Sequence, residues 1–448
     1  MSRRKILFLV DHKHRDFPSL CLIGYYLKNI YEVFYRTPQK TDVDIINPEF
    51  IIVSRLTRNN EQIKEINQWR EKKRKIIVID AEGNQQSKTF VTKMTFKPDL
   101  CFLWSNVEFQ RHKEKIMSEN IKYFICGSPR LDFFHKDFQN FFDNNLHIKD
   151  KFKIKNEKKT ITFAMNNSYE DISDAQKEKI KKRYYQTYKH NFGFEKKLEH
   201  MQDCRKTLLY YVNYVLENFK NVNIVIKPHP NEDVNFWNKI GEKNKNLKIM
   251  LGKSINELLK ISDLHIGMQG CLTIVESSLL KVPSIELDTL SRLSKNEFFE
   301  EHLNLALYTA SNVKEFHRQA SIILSNNCSA EKLEYQEKKI HDYTEKYLYK
   351  FDGKRCIDYA NNLKIFIEAT PFDISLKENV SFQFNSMKKI FFNKIFDFKQ
   401  NLIKVIKSTL FNKKVLDPRG RYDNRIKKGD ENIWYEEFTK NSNIKKVH

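Results

Sequence analysis

Short apolar runs alternate with amphipathic stretches over the first third of the chain. Lys5–Val10 predicts a strand, and Ser19–Asn29 a helix with Leu20, Ile23, Tyr26 and Leu27 on one face. Val33–Tyr35 and Phe50–Ser54 read as extended. Asn59–Arg74 reads as a polar helix whose basic end suits its C-terminal dipole. Lys75–Asp80, Leu100–Trp104 and Lys122–Cys126 predict three further strands. Strand–helix alternation of this kind implies a parallel sheet covered on both faces. Ligands of such sheets collect at the carboxyl ends of the strands. The segments to watch are therefore Asp11–His14, Asp80–Gly83, Ser105 and Gly127–Asp132.

Residues 137–158 are polar and read as a linker, after which the pattern restarts. Thr160–Met165, Val222–Lys227, Leu247–Met250, Leu264–Gly267 and Pro283–Leu287 predict strands. Gln202–Phe219, Ser254–Lys260 and Thr273–Leu280 predict helices. The expected fold class is α/β, with two Rossmann-like units facing each other across a cleft. The first unit spans 1–150 and the second 159–345. A crossover helix region, with Cys356–Glu368 as its helix, occupies 346–379, and a basic tail 380–448.

Charge and composition narrow the partners. The 448 residues carry 79 Lys and Arg against 57 Asp and Glu, a net charge of +22. That excess suits an anionic partner: nucleic acid, an acidic lipid surface or a phosphorylated substrate. At 40% hydrophobic and 13% aromatic residues the chain can build cores, which excludes disorder throughout. The opening apolar run, Ile6–Val10, is too short for a signal peptide, and no window is long and apolar enough to span a membrane. The seven Cys are scattered without a CxxC or Cys/His cluster, so a reduced cytosolic protein without structural zinc is expected.

The sharpest motif is Lys227-Pro228-His229-Pro230-Asn231-Glu232, delivered by a strand. Two prolines fix the backbone around one imidazole, placing His229 to donate to a phosphate oxygen or leaving group, with Lys227 adding a point charge. The plainer reading is a rigid turn with a surface His. Farther on, Gly267–Glu286 runs strand, Gly turn, helix, strand. A helix N-terminus behind a Gly turn makes a phosphate site, which Gln269, Gly270 and Thr273 would line. Glu276, one turn on, would take ribose hydroxyls or base donors. An ordinary β–turn–α connection would look the same. Asp80-Ala81-Glu82-Gly83 ends a strand with two acids beside a Gly, the make-up of a general base or of a solvated turn. Arg130 either clamps an anion or pairs with Asp132 to pin its loop, and the pairing is preferred. His12 and His14 lack a third metal ligand, so their basic loop is expected to face an acidic acceptor or phosphate. Asn166, after the first strand of the second unit, contacts a nucleotide or turns the chain.

Taken in order, these pieces resemble the bacterial surface carbohydrate biosynthesis proteins of capsule and lipopolysaccharide. They also resemble the wider GT-B set with HP-motif sialyltransferases, Kdo transferases and CDP-glycerol glycerophosphotransferases. The matching residues are KILFLVDHKHRD at the start, VIDAEG at 78–83, Trp104-Ser105, GSPRLD at 127–132, MNNS at 165–168, KPHPNE at 227–232 and the Ser-rich stretch from Glu276 to Pro283. The resemblance covers roughly residues 4–300. It implies a GT-B glycosyltransferase, with an N-terminal acceptor domain and a C-terminal donor domain. A CMP-activated acidic keto-sugar such as Kdo or a nonulosonic acid would be passed to a glycan or lipid-linked acceptor. Glu82 or Asp80 would activate the acceptor hydroxyl, His229 would stabilise or protonate the leaving phosphate, and Ser277, Ser278 and Thr273 would hold it. Ala81 departs from the acidic pair of the sialyltransferases, which also admits a retaining route through a carboxylate nucleophile. A CMP leaving group needs no metal, so neither metal nor cofactor is expected. The neighbouring version is a CDP-polyol phosphotransferase of teichoic-acid-like polymers.

The tail adds a location. Lys388–Lys414 holds eight Lys and one Asp, with Phe391, Ile395, Phe398, Leu402, Val405 and Ile406 on one helical arc. A basic amphipathic helix suits an anionic membrane surface, here the inner face of the cytoplasmic membrane. Packing against the N-terminal unit is the alternative, and Asp417–His448 is expected to be disordered. No RNP-like signature, zinc finger or Arg-rich stripe supports a nucleic-acid partner. A nucleic-acid binder and an inactive assembly scaffold are the readings of other classes.

Overall fold

The computed structural model describes residues 3–38, 40–54, 60–80, 96–110, 121–141, 145–164, 173–187, 193–229, 232–244, 246–250, 254–268, 271–288, 304–371, 426 and 429–440. The chain builds two parallel sheets of six strands each. The first holds β1 (Lys5–Leu9), β2 (Glu32–Arg36), β3 (Phe50–Val53), β4 (Lys75–Ile79), β5 (Leu100–Leu103) and β6 (Lys122–Ile125), in the order β2-β1-β3-β4-β5-β6. The second holds β7 (Lys159–Ala164), β8 (Val222–Lys227), β9 (Leu247–Ile249), β10 (Leu264–Met268), β11 (Ser284–Leu287) and β12 (Tyr308–Ala310), in the order β12-β11-β10-β7-β8-β9.

Continuous apolar runs explain the first sheet, because both of its faces are covered. Ile6, Phe8, Phe50, Ile52, Ile77, Ile79 and Phe102 face a core shared with the helices Phe17–Leu27 and Arg355–Ala369. Leu7, Leu9, Ile51, Val53, Ile76 and Val78 face the opposite core, with Ile66 and Trp69 of the helix Asn60–Glu71. The second sheet is different. One face, with Ile161, Phe163, Ile224, Ile226, Ile266, Met268 and Ile285, is apolar and covered by the helix Phe194–Asn218. On the alternate positions of β7, β10 and β11 stand the buried Thr160, Thr162, His265, Ser284 and Glu286. A polar sheet face buried this deeply needs hydrogen-bond partners, and the helix Leu272–Leu279 packs against β10 and β11 there.

In each sheet the chain runs outward in both directions from an inner strand: at β1/β3 in the first and at β7/β10 in the second. These switch points open crevices at the carboxyl ends of the strands, where ligands bind in this architecture. An apolar seam joins the halves. Trp104, Leu131 and Phe134 from the first pack with Ile274, Val275, Leu305, Ile340, Tyr343 and Tyr347 from the second.

The helix Arg355–Ala369 then crosses back to the first half. Its N-terminus is held there by Asp132, whose carboxylate accepts from the backbone N–H of Arg355 (2.9 Å) and of Cys356 (2.7 Å). Burial nevertheless pushes Asp132 up to about 7, with those N–H groups and the Arg355 guanidinium opposing the rise.

Two expectations fail. The expected linker at 137–158 contains the helix Asn145–Phe152, whose Ile148 and Phe152 are buried beside Val225 and Leu258. Tertiary burial, rather than local pattern, decides so short a helix. The tail end expected to be disordered contains the helix Asp430–Lys440, with Phe438 fully buried and Tyr435 hydrogen-bonded to Tyr35 at 2.8 Å. Its aromatic side pays the ordering entropy by covering the helix Phe17–Leu27. The basic stretch 388–414 lies outside the described residues. No helix among the described residues is long and apolar enough to cross a membrane.

Gly127 makes the crossing possible. It adopts a φ of +75°, and a Cβ there would stand 2.4 Å from the Leu348 carbonyl oxygen. Gly127→Ala is expected to cost at least about 1–3 kcal/mol of backbone strain. A lowered midpoint in urea unfolding checks this.

Candidate active site between the two halves

Strand β8 ends in Lys227, and Pro228 leads to the half-buried His229. The loop is closed by the Glu232 N–H, which donates to the His229 carbonyl at 2.9 Å. The Glu232 carboxylate is itself buried against Arg205 at 3.4 Å, and that guanidinium stacks 3.5 Å from the Phe236 ring centroid. His229 is thus presented by a loop tied down through Glu232. Nothing local in the sequence marks this role of Glu232, because its partner lies 27 positions upstream on the helix Phe194–Asn218.

The helix Leu272–Leu279 starts at the β7/β10 switch point. Gly267 lets it approach β10 closely: a Cβ there would stand 2.8 Å from Ile274 Cδ1. At its first turn Thr273 Oγ1 lies 2.9 Å from His265 Nε2 and 3.0 Å from Cys271 Sγ. Burial lowers His265 from 6.5 to about 3, so it is a neutral strut under the helix. His265 was not singled out from the sequence, although the alternation Leu264-His265-Ile266 set it on a polar sheet face.

Three cations from three segments act electrostatically on Glu276. Its carboxylate is raised by burial and pulled back down by Arg130, Lys227 and Arg15. Arg130 Nε stands 3.7 Å from Glu276 Oε1, and its guanidinium lies 5.5 Å from the Trp104 ring centroid. Burial lowers Lys227 to about 8, with Glu276 and Cys271 opposing the shift. Arg15 also bonds its neighbour Asp16 at 2.6 Å. Arg130 and Arg15 come from the first half, and Lys227 and Glu276 from the second. The preferred pairing of Arg130 with Asp132 is therefore corrected: Arg130 reaches across the cleft, and Asp132 serves the returning helix.

Other expected residues fall elsewhere. The Ser277 hydroxyl is fully buried and donates to the Ile274 carbonyl at 2.9 Å. Ser278 donates to the same carbonyl at 3.0 Å and accepts from Gln336. Both hydroxyls thus bond back within the second half, and Thr273 is the hydroxyl at the helix start. His14 is exposed on the loop after β1, where Lys13 is paired with Asp430 of the C-terminal helix. Asp80 is buried at the end of β4, and its carbonyl accepts from the Trp104 indole at 2.7 Å. Glu82, Asn166, Gln269 and Gly270 lie outside the described residues.

No protein-family model matches the sequence, and no curated protein matches it. Solved structures do match. A variant of the wall teichoic acid polymerase TagF superposes with a TM-score of 0.51 at 12% identity, over 82% of this chain and 89% of that one. The same polymerase soaked with CDPG gives 0.51 at 11% identity, over 82% and 89%. A UDP-GlcNAc 2-epimerase of Methanocaldococcus jannaschii gives 0.47 at 13% identity, over 82% and 100%. The fold is GT-B. In that arrangement ligands collect at the strand ends facing the crevice between the halves, which here holds Arg130, Lys227 and Glu276.

His265 supplies a pH test of the helix support. The unfolded imidazole takes its proton near 6.5 and the folded one near 3, so falling pH favours the unfolded chain across that interval. Relative to His265→Gln, the native protein is expected to lose stability as pH drops from about 6.5 toward 4. Paired urea melts at each pH measure the difference.

Proposed function

We propose that the chain is a GT-B glycosyltransferase of surface polysaccharide synthesis. It would move an acidic keto-sugar such as Kdo or a nonulosonic acid from a CMP-activated donor to a glycan or lipid-linked acceptor. The observation that carries this reading is the set of Arg15, Arg130 and Lys227 around the buried Glu276, beside His229 at a strand's carboxyl end. Three cations against two carboxylates, Glu276 and the Asp16 bonded to Arg15, leave a net positive charge for a phosphate oxygen, and burial of the cluster strengthens it.

In this mechanism the donor phosphate lies against Lys227 and the helix start at Thr273. The acceptor hydroxyl attacks the anomeric carbon while a carboxylate, Glu82 or Asp80, takes its proton. The carbon–oxygen bond to phosphate breaks with its electron pair passing to the phosphate oxygen, and His229 donates a hydrogen bond or its proton there. Arg130 and Arg15 hold charge on the acceptor side of the cleft. The chain would work at the inner face of the cytoplasmic membrane, with 388–414 as the contact.

A CDP-polyol phosphotransferase is the second reading, favoured by the fold likeness to TagF and by that polymerase's CDPG soaks. There the acceptor oxygen would attack the β-phosphorus, and CMP would leave.

Thermal shift with CMP, a CMP-keto-sugar and CDP-glycerol separates the donors, and no shift with any cytidine nucleotide would sink both readings. Lys227→Ala is expected to weaken donor use, and Arg130→Ala acceptor use, each about 10- to 100-fold, the worth of one hydrogen bond to a charged group. His229→Ala is expected to lower kcat about 10²- to 10⁴-fold with the melting temperature unchanged. Full activity in that variant, measured as released CMP, would refute the assigned role.

A further inference from the structure

A second cationic site lies on the far side of the first half, at the amino ends of its strands. A cavity of about 560 Å³ opens there, between the residues that precede β1, β3, β4 and β5. Arg4, Arg70, Lys73, Arg74 and Lys75 line it, against two acids, Glu49 and Asp99. Those acids are heavily engaged. Glu49 holds Arg4 at 2.7 Å. Asp99 accepts from the Ile76 N–H at 2.8 Å, and has Lys75 at 3.2 Å and Arg70 at 3.6 Å.

Arg74 is the decisive residue. It is 2% exposed, and among the described residues its Nε has no acceptor. Nη2 donates to Asn47 Oδ1 at 3.1 Å. Among the described residues Nη1 has Asp44 alone, at 3.6 Å, and Lys72 holds the same Asp44 oxygen at 2.9 Å. The C-terminal dipole of the helix Asn60–Glu71 accounts for basic residues just after it, but for exposed ones with hydrated heads. A guanidinium driven into the protein with an N–H left over is not explained that way, since a buried donor without an acceptor is costly. Its planar fork matches the oxygens of a phosphoryl group. The cavity rim is completed by Thr370 and Pro371, from which the chain runs on toward the Lys-rich stretch 388–414.

We propose that this cavity binds a phosphoryl anion, with Arg74 as the buried anchor and Lys73, Lys75 and Arg70 at the rim. The ligand is either a free phosphorylated molecule or the headgroup of an anionic lipid. It is separate from the donor phosphate of the cleft, which lies at the opposite ends of the strands.

Amide hydrogen exchange of the full chain, read by mass spectrometry, tests the site locally. Millimolar inorganic phosphate is expected to slow exchange in peptides covering 47–50 and 69–76 by about tenfold. Lys73→Ala, an exposed substitution, is expected to remove most of that slowing, and Arg74→Gln all of it. Vesicles of phosphatidylcholine with phosphatidylglycerol, compared with phosphatidylcholine alone, form the second arm. Slowing by phosphate alone assigns a soluble ligand, slowing by the anionic vesicles assigns a lipid headgroup, and either supports the site. No slowing at these peptides in either arm overturns it, as does slowing that persists in both variants.

Discussion

The carboxylate of Asp132 receives the first two N–H groups of a helix that begins 223 residues later in the chain. Much else follows from that contact. The helix Arg355–Ala369 brings the chain back from the second half to the first, and its buried face completes the core over β1, β3 and β5. Arg355 reinforces the junction by donating to the Cys126 carbonyl and pairing with Asp352 and Asp358. The same short segment, Gly127–Phe134, carries Arg130 two residues before the anchor. With Asp132 and Gly127 committed to the crossing, Arg130 is left to face the second half and Glu276. One acceptor therefore sets both the closure of the chain and the position of a cleft cation.

The second half meets this cation with a surface built on a polar sheet face. Thr162, His265 and Ser284 are buried beneath the region where the helix Leu272–Leu279 begins. A neutral imidazole beneath Thr273 places no positive charge under the helix start. The positive potential then comes from the helix dipole and from Lys227, Arg130 and Arg15, and the carboxylate of Glu276 balances part of it. The far end of the first half repeats the theme with a different geometry, in which Arg74 is buried and the acids around it are shared. Among the described residues the positive charge thus includes two separate local clusters, one at Glu276 and one at Arg74.

Most of the strands were legible because parallel sheets bury both faces, and runs such as Lys75–Ile79 and Val222–Lys227 have no other economical reading. The strand ends followed from them, and with them the neighbourhood of Lys227-Pro228-His229. Legibility stopped where facing mattered. The family resemblance implied Ser277 and Ser278 as phosphate ligands. The apolar side of their helix is pulled onto β10 and the interhalf seam, which turns Ser277 inward and leaves both hydroxyls bonded to Ile274. Arg130 and Asp132 looked like a local pair, but each found a partner far away in sequence.

By itself the sequence determined the alternation of strands and helices, the two-unit division and the strand that delivers His229, because these depend on local apolar patterning and on proline geometry. Only the tertiary structure decided that Arg130 meets Glu276, that Glu232 anchors the His229 loop through Arg205, and that His265 lies under Thr273. Those pairings link segments whose separation in sequence carries no periodic signal. They are selected by which buried charges and donors find partners when the two sheets are closed against each other.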